Sequence, residues 1–257
     1  MMGLILSVFP GADLLGRAFE ESGLCIVRGP DLVWGGDIRT FHPPPGVFWG
    51  IIGGSPCQDF SSLRRTAPTG YGVEMLAEFA RAVTEAQPEW FLLENVPRVP
   101  SVSVPGYFLQ RFNLAAKECG GSQARLRCFQ FGNRLKPVPL VICRSPADSG
   151  LSHAALASEG TRKGRRSFPD FCALQDLPRD FDLPGLSRAA KYRAVGNGVP
   201  LQMGRVIARA VTAWAAADGG SRVCLCDCGR PVSGRQTMAT AACRKRMERR
   251  RRDSARP

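Results

Sequence analysis

The chain has 257 residues, enough to bury a full core in one domain of ordinary to large size with a small appendage. Its formal net charge of +13 at pH 7 favours a polyanionic partner, and its lack of a long unbroken apolar run argues against a membrane protein. The apolar start Leu4–Phe9 has no basic leader and is cut by Pro10-Gly11. We therefore expect a first strand rather than a signal peptide, and a cytoplasmic protein.

Basic residues and cysteines are concentrated toward residue 257. Residues 221–257 hold 11 Lys and Arg against 3 Asp and Glu, a net charge of +8 out of the total of +13. Four of the ten cysteines fall in the same segment, and the other six are scattered, as in a reduced cytosolic protein. A basic tail of this kind predicts contact with a polyanion, and a solubilising tail is the alternative.

The body of the chain alternates predicted strands and helices. Apolar runs predict strands at Leu4–Phe9, Leu24–Val27, Val47–Ile52, Trp90–Leu93, Arg125–Phe131 and Pro139–Cys143. Apolar faces of helical period predict helices at Ala12–Ser22, Glu74–Ala86 and Tyr107–Cys119. Arg28–Pro45 is rich in glycine and proline and is predicted as a loop. Strands separated by helices predict an α/β fold with a doubly wound, mainly parallel sheet.

Turn-forming or reactive residues follow four of these predicted strands. The segments are Pro10-Gly11-Ala12-Asp13, Asp31 with Gly36-Asp37-Ile38, the turn around Cys57, and Glu94-Asn95-Val96-Pro97. In doubly wound folds, ligands bind beyond the carboxyl ends of the strands. Four such loops at one edge of a sheet therefore predict an active site at that edge.

Cys57 lies on a turn that directly follows a buried strand. Gly53 and Gly54 permit close backbone approach, and Pro56 stiffens the chain before the thiol. The next residue, Gln58, is polar. This surrounding predicts a nucleophilic cysteine, and a small buried apolar residue is the alternative.

The first two loops predict a binding site for an adenosine-bearing cofactor. A glycine turn that leads into a helix attracts a negative group, here a carboxylate, since the chain has no phosphate-binding glycine motif. An acid after the second strand holds ribose hydroxyls in such folds, and Asp31 takes that position. Asp37 is placed to accept from an adenine amino group. Each acid alone is also explained as a turn residue or a helix cap.

Seven short stretches of the chain form an ordered set that is highly specific as a whole. They are Phe9-Pro10-Gly11, Gly36-Asp37-Ile38, Gly54-Ser55-Pro56-Cys57-Gln58, Glu94-Asn95-Val96, Gln123-Ala124-Arg125-Leu126-Arg127, Leu174-Gln175-Asp176-Leu177-Pro178 and Gly196-Asn197-Gly198-Val199-Pro200. In this set the chain resembles the DNA cytosine-5 methyltransferase family, over residues 4 to about 212. The resemblance implies a Rossmann-like methyltransferase fold and S-adenosylmethionine as the methyl donor.

The resemblance also implies roles for four catalytic residues. Cys57 as thiolate would add to cytosine C6, and Glu94 would act at N3 as an acid or hydrogen-bond donor. Arg125 and Arg127, expected on one side of a strand, would divide two roles. One would hold the O2 edge of the base or activate Cys57, and the other would pair with a phosphate or a carboxylate. The target base of double-stranded DNA would be flipped out.

The resemblance assigns the donor site to residues from three parts of the chain. They are Phe9, Gly11, Asp31, Asp37, Ile38, Asn197 and Val199. Two departures lie within these loops: the shorter Asp31 stands where the family usually has Glu, and Asp13 stands where it usually has a further glycine. A carboxylate there would lie near the carboxylate of the donor.

The predicted organisation has four parts. A catalytic and cofactor-binding core spans 1–143, a very short target-recognition region spans 144–170, and the catalytic domain resumes at 171–216. Residues 221–257 form a basic, cysteine-rich module. Its thiols predict a structural zinc site, although their spacing departs from paired C-x2-C ligands, and a tail that binds no metal is the alternative. The proposed ligands are Cys224, Cys226, Cys228 and Cys243.

Two other functions remain open from the sequence. A tRNA cytosine-5 methyltransferase uses the same thiol and carboxyl chemistry. A catalytically silent DNA-binding homologue is the second alternative, with Asp13 disrupting the donor site. The protein is expected to act as a monomer on double-stranded DNA, without a membrane partner.

Overall fold

A six-stranded sheet forms the centre of the unit that spans residues 2–211. The structure is a computed structural model and describes residues 3–62, 67–134, 138–145, 150, 152–217, 222–223, 231–232, 240–245 and 248. The strands of the central sheet are β1 (Leu4–Val8), β2 (Ile26–Arg28), β3 (Phe48–Gly54), β4 (Trp90–Asn95) and β5 (Phe108–Ala115), joined by β7 (Leu126–Asn133) after the short β6 (Gln123–Ala124). Their spatial order is β2-β1-β3-β4-β7-β5. Only β7 runs against its neighbours, so the sheet is mostly parallel.

The helices and the remaining strands complete two compact units, residues 2–211 and residues 212–257 with Met1. The helices are α1 (Leu14–Glu21), α2 (Tyr71–Ala86), α3 (Phe168–Leu174), α4 (Arg188–Asn197) and α5 (Leu201–Ala217). The other strands are β8 (Ser152–His153), paired with β6, and β9 (Arg222–Val223), paired with β10 (Pro231–Val232). Among the described residues, no helix is both long and apolar enough to cross a membrane.

Helices cover both faces of the sheet because alternate strand residues point to opposite sides. On one face, Phe91 of β4 contacts Phe79 of α2, with ring centroids 5.8 Å apart. On the other face, Trp90 of β4 stacks on Phe19 of α1 at 6.0 Å. All four rings are fully buried. The predicted α/β fold with a mainly parallel sheet is therefore confirmed.

The predicted helix at Tyr107–Cys119 is wrong. Every residue from Phe108 to Ala115 pairs with β7, and only Ala116–Cys119 forms a short 3-10 helix. The apolar residues of this segment fit a helical spacing, but the free edge of β7 offers a continuous ladder of hydrogen bonds. Phe112 then stacks on Phe129 of β7 at 5.7 Å, which favours the strand.

Two further predictions change in detail. No strand forms at Pro139–Cys143; instead, the amide side chain of Gln110 exchanges two hydrogen bonds with the backbone of Leu140, at 2.6 and 3.1 Å. The predicted loop Arg28–Pro45 contains two 3-10 helices, Leu32–Trp34 and Ile38–Thr40. Asp31 and Asp37 cap them by accepting from backbone amides, which is a local structural role for both acids.

Candidate active site

One cleft of about 400 Å³ opens at the carboxyl ends of β1, β3 and β4. Its volume is typical of a small-molecule site. Ten residues singled out from the sequence line it: Phe9, Gly11, Asp31, Asp37, Ile38, Cys57, Glu94, Arg127, Asn197 and Val199. This one cleft therefore brings together residues that are separated by almost 200 positions in the chain. Of the predicted catalytic and cofactor-binding residues, only Arg125 does not line it.

The Cys57 turn is tied to the helix that follows it. The Cys57 carbonyl accepts from the amides of Phe60 and Ser61, both at 3.0 Å, which closes a helical turn. The carboxylate of Asp59 accepts from the amides of Thr69 and Gly72, at 2.9 and 2.8 Å, and so joins the turn to the start of α2. The half-buried thiol is therefore held on a turn fixed at both ends.

Asn95 fixes the other side of the turn, a role that the sequence analysis did not assign. Its buried amide donates to the Ser55 carbonyl at 3.0 Å and to the Ser55 hydroxyl at 2.9 Å. Its side-chain oxygen accepts from the amide of Val96 at 2.7 Å. Asn95 belongs to the Glu-Asn-Val stretch, which the sequence analysis did single out. Its partner Ser55 lies 40 residues earlier, and no local spacing in the sequence indicates that contact.

Glu94 lies beside the Cys57 turn because β4 pairs with β3. Gly54 and Glu94 are direct partners in this ladder, and the Arg127 guanidinium Nε lies 2.9 Å from Glu94 Oε1. Only 5% of Glu94 is exposed. Burial raises the pKa of Glu94, while the charges of Arg127 and Arg125 lower it. A carboxyl with opposed influences of this kind can hold a proton and give it up to a bound base.

The charges of Glu94, Arg127 and Arg125 also affect the pKa of the Cys57 thiol. Burial and then the negative charge of Glu94 raise the pKa of Cys57, whereas Arg127 and Arg125 lower it. A proton on Glu94 removes the nearby negative charge and so lowers the free energy of the thiolate. The two groups are therefore coupled, and the state with a thiolate on Cys57 and a neutral Glu94 is the one suited to nucleophilic addition.

Arg125 does not share a strand face with Arg127, which corrects the sequence prediction. It lies between β6 and β7, and its guanidinium donates to the carbonyls of Ala155 at 2.9 Å, Gly196 at 2.9 Å and Gly198 at 2.8 Å. Burial, followed by the charge of Arg127, lowers the pKa of Arg125 to about 9, so it stays a cation at neutral pH. Its hydrogen bonds hold the segment that carries Asn197.

Two buried glutamines, Gln123 and Gln175, also connect β6 with the end of α4. Neither was predicted as a site residue. The Gln123 amide donates to Leu174 O at 2.6 Å and to Gln175 Oε1 at 2.9 Å. The Gln175 amide donates to Val195 O at 2.6 Å. With Arg125 they form what we call the buried clamp (Gln123, Arg125 and Gln175), which fastens the end of α4 to the sheet.

Asp31 sits at the start of the predicted donor site. Its two carboxylate oxygens accept from the amides of Gly11 and Val33, both at 2.8 Å. Gly11 and Phe9 have positive φ angles of 54° and 53°, so the chain turns sharply here. Each carboxylate oxygen keeps a second lone pair, and Asp31 therefore fits ribose hydroxyls while it keeps both backbone hydrogen bonds.

Asp37 lines the same cleft and is engaged by Arg39. The guanidinium donates to Asp37 Oδ2 through Nε at 3.0 Å and through Nη2 at 2.6 Å. The Arg39 hydrogen bonds lower the pKa of Asp37, so the carboxylate is an acceptor at neutral pH. The neighbouring Ile38 is buried and offers apolar contact.

Asp13, one of the two departures from the family pattern, caps α1. It is 5% exposed and adopts a left-handed conformation with φ of 51°, which Asp tolerates better than most residues. Its carboxylate accepts from the Ser7 hydroxyl at 2.8 Å and from Gly16 N at 3.2 Å, and Arg28 Nε lies 2.9 Å away. Burial raises the pKa of Asp13, and the hydroxyl and Arg28 lower it. The charge is thus compensated within the fold.

The predicted zinc site falls mostly outside the described residues. Cys224, Cys226 and Cys228 are not among them, whereas Cys243 is described and buried. The part of the chain that is described contains no group of three or more side chains suited to a metal ion. Zinc binding therefore stays a prediction from the sequence.

Comparison with known proteins agrees with this site. Residues 36–140 match the family model described as C-5 cytosine-specific DNA methylase, a range that includes Cys57, Glu94, Arg125 and Arg127. Over this range the chain is similar to the C-5 cytosine-specific DNA methylase family.

Two bacterial relatives illustrate the similarity in sequence. The chain is 36% identical over 94 residues to type II methyltransferase M.HgiDI of Herpetosiphon aurantiacus, covering 33% of this chain and 30% of that protein. It is 33% identical over 87 residues to type II methyltransferase M.HindV of Haemophilus influenzae, covering 30% and 29%. The matches thus span less than a third of these relatives.

Two solved structures share the fold. Entamoeba histolytica methyltransferase EhMeth superposes with a TM-score of 0.61 at 10% identity, covering 83% of this chain and 98% of that one. The S. pombe Dnmt2 methyltransferase gives a TM-score of 0.59 at 10% identity, covering 83% and 99%.

Proposed function

We propose that this protein transfers a methyl group from S-adenosylmethionine to C5 of cytosine in double-stranded DNA. The observation that carries the proposal is the position of Cys57 beside the Glu94–Arg127 pair, in the same cleft as Asp31 and Asp37. A nucleophile, an acid and a site for an adenosine-bearing ligand are the parts that this reaction requires.

The first step is addition of the Cys57 thiolate to C6 of a flipped cytosine. The sulfur forms the new bond, the electron pair of the C5–C6 double bond moves into the ring, and N3 takes the proton of Glu94. Arg127 keeps the carboxyl aimed at the base and stabilises the carboxylate that remains. C5 is then nucleophilic as an enamine carbon.

S-adenosylmethionine, when bound, supplies an electrophilic methyl group for C5. After transfer, the C5 proton leaves to water, the Cys57–C6 bond breaks, and the electron pair of that bond returns to sulfur. Glu94 regains its proton from N3, which restores the starting state of the protein.

The donor would lie along the loops that follow β1 and β2. Asp31 would hold the ribose hydroxyls, Asp37 would accept from the adenine amino group, and Ile38 would contact the ring. At the other end of the donor, the methionine part would lie near Phe9, Gly11, Asn197 and Val199. The free lone pairs of Asp31 and the size of the cleft support this placement.

The remaining parts of the chain receive supporting roles. Residues 144–170 would contact DNA as a short target-recognition region, and 171–216 would complete the catalytic domain begun at 1–143. The 221–257 module would bind DNA without sequence preference, with zinc held by its four cysteines.

The test is base-resolution mapping of 5-methylcytosine in host DNA after expression of the wild-type protein and of Cys57→Ser. Methylation at a defined sequence with the wild-type protein alone is the expected result. The tRNA of the same cells is mapped in parallel. Methylation confined to tRNA would replace the DNA assignment, and equal DNA maps for both proteins would overturn the activity.

A further inference from the structure

Helix α4 separates two concave surfaces, and basic residues lie on both sides of it. Ala190, Arg193 and Asn197 face the catalytic cleft. A second cavity, of about 470 Å³, is lined by Arg188 and Tyr192 together with Gly164, Arg165, Arg166, Ser167 and Phe168. None of these lining residues carries a carboxylate. We define Arg162, Lys163, Arg165, Arg188 and Arg193 as the α4 basic surface.

The cations of this surface are exposed and lack carboxylate partners within the described chain. Arg162 donates to the Ser158 hydroxyl at 3.1 Å, and Arg165 to the Arg162 carbonyl at 3.4 Å, which leaves their charges uncompensated. By contrast, Arg166 is paired with Glu159 at 2.8 Å. Five like charges in one region repel each other, so the arrangement favours an anionic ligand.

The loop that carries three of these cations is fixed to α4 rather than free. The buried Tyr192 donates its hydroxyl to Arg166 O at 2.6 Å. A Cβ at Gly160 would come within 2.9 Å of Tyr192 Cβ, so the loop backbone lies directly against the helix. The cations therefore need little ordering when they meet a ligand, which favours tight phosphate binding.

Arg188 and Arg193 point to different sides of α4. They are five residues apart, and at 3.6 residues per turn their side chains leave the helix axis roughly 140° apart. This agrees with Arg193 lining the cleft and Arg188 lining the second cavity. The α4 basic surface therefore extends from the cleft over the helix to the second cavity, and it can meet phosphates on both sides of α4.

We propose that the α4 basic surface binds the phosphate backbone of the DNA strand that carries the target base, without reading base sequence. This inference rests on the proposed function. It assigns a ligand, the phosphates of duplex DNA, to the second cavity and to Arg193.

The test measures the affinity of the protein for a duplex without cytosine targets across a range of salt concentrations. Both the parent and the variant carry Cys57→Ser, so that no covalent complex forms. The variant combines Arg165→Gln, Arg188→Gln and Arg193→Gln. The slope of log K against log salt should fall by about 0.9 for every phosphate that is no longer neutralised, or by roughly 3 in total.

Arg134→Gln is the control from outside the surface, because Arg134 follows β7 at the opposite end of β4 and its guanidinium donates to Gln87 O at 3.2 Å. It should leave the slope unchanged. Thermal melting and donor binding confirm that each variant is folded. An unchanged slope in the triple variant overturns the proposal, and so does a weakening confined to one DNA sequence.

A reduced slope for tRNA with none for duplex DNA overturns the choice of ligand. The result of this salt-dependence experiment can also be distinguished from the result of the methylation test. If wild-type protein methylates no cytosine but the triple variant binds duplex DNA more weakly as stated, the surface is supported and only the proposed activity fails.

Discussion

Arg127 and Glu94 form a buried ion pair between two antiparallel strands, with Nε 2.9 Å from Oε1. The carboxyl is desolvated, yet it faces a fixed cation, so neither protonation state is strongly excluded. A pair of this kind contributes little net stability. Its consequence is chemical, because it places a carboxyl with adjustable charge where it influences the pKa of the Cys57 thiol.

Cys57→Ser should abolish methyl transfer and leave donor binding nearly unchanged. A serine hydroxyl fits the same turn but is hardly ionised near neutral pH, whereas a thiol supplies some thiolate. Transfer of labelled methyl groups to DNA measures the activity, and calorimetry measures donor affinity. Turnover that survives in this variant would falsify the nucleophile assignment.

Glu94→Gln should lower the rate of methyl transfer by about two to four orders of magnitude, as expected for removal of a proton-transfer group. The substitution keeps the shape and removes the acid. Trapping of Cys57 by DNA that contains 5-fluorocytosine isolates the step. Equal trapping rates for the variant and the wild-type protein would mean that Glu94 does not assist addition.

The pH dependence of that trapping gives a second readout. Because the pKa of Glu94 is raised, its neutral form persists above the usual range and is lost as pH rises through that raised value. The pKa of Cys57 is also raised, so its thiolate grows only as pH rises. A bell-shaped profile should result, and in Glu94→Gln the falling alkaline limb should disappear.

Asp31→Ala and Asp37→Ala should each weaken S-adenosylmethionine binding. The effect should be larger at Asp31, because its removal also frees the amides of Gly11 and Val33 and loosens the turn after β1. Calorimetry with the donor and with S-adenosylhomocysteine measures both effects. Arg39→Gln is the control for the ion pair between Arg39 and Asp37. Unchanged donor affinity in both alanine variants would show that the donor does not bind on this side of the cleft.

Arg125→Met should destabilise the protein and weaken donor binding together. The substitution keeps much of the side-chain volume but leaves buried carbonyls without a donor, at ~1–3 kcal/mol each. Denaturant unfolding measures the first effect and calorimetry the second. Arg125→Lys should recover part of the stability, because one ammonium cannot reach all of the carbonyls that the guanidinium joins. If Arg125→Met leaves the donor affinity unchanged, the hydrogen bonds of Arg125 are not needed to position the Asn197 segment for donor binding.

Truncation after Gly220 should remove about one zinc per chain, weaken DNA binding most at low salt, and leave the methylated sequence unchanged. Elemental analysis of the full-length and shortened proteins checks the metal, with Cys226→Ser as a single-residue control. Absence of zinc from the full-length protein would refute the module. A changed target sequence after truncation would instead show that the tail reads bases.

The sequence predicted the site best where a candidate site residue comes directly after a predicted strand. Cys57 and Glu94 each come at the end of an apolar run, and parallel pairing brings such ends to one edge of a sheet. The mostly parallel sheet and the common cleft could therefore be predicted. Their catalytic roles remain predictions that the experiments above address.

The sequence was uninformative where a role depends on contact between distant segments. Asn95 reaches Ser55 across 40 residues, and Gln123 reaches Gln175 across 52. No local spacing encodes such partners. The error at β5 has a related cause, since Phe108–Ala115 becomes a strand only because β7 presents a ladder to it.

The buried clamp also bears on how the protein is made. Arg125 finds its carbonyl partners 30 residues ahead at Ala155 and 71 residues ahead at Gly196. A chain still emerging from the ribosome has the thiol turn and the acid early, but it lacks Asn197 and Val199 until the last third is released. The cleft can close only after that late segment docks, which makes folding slow and non-local. A half-synthesised chain therefore lacks a complete cleft.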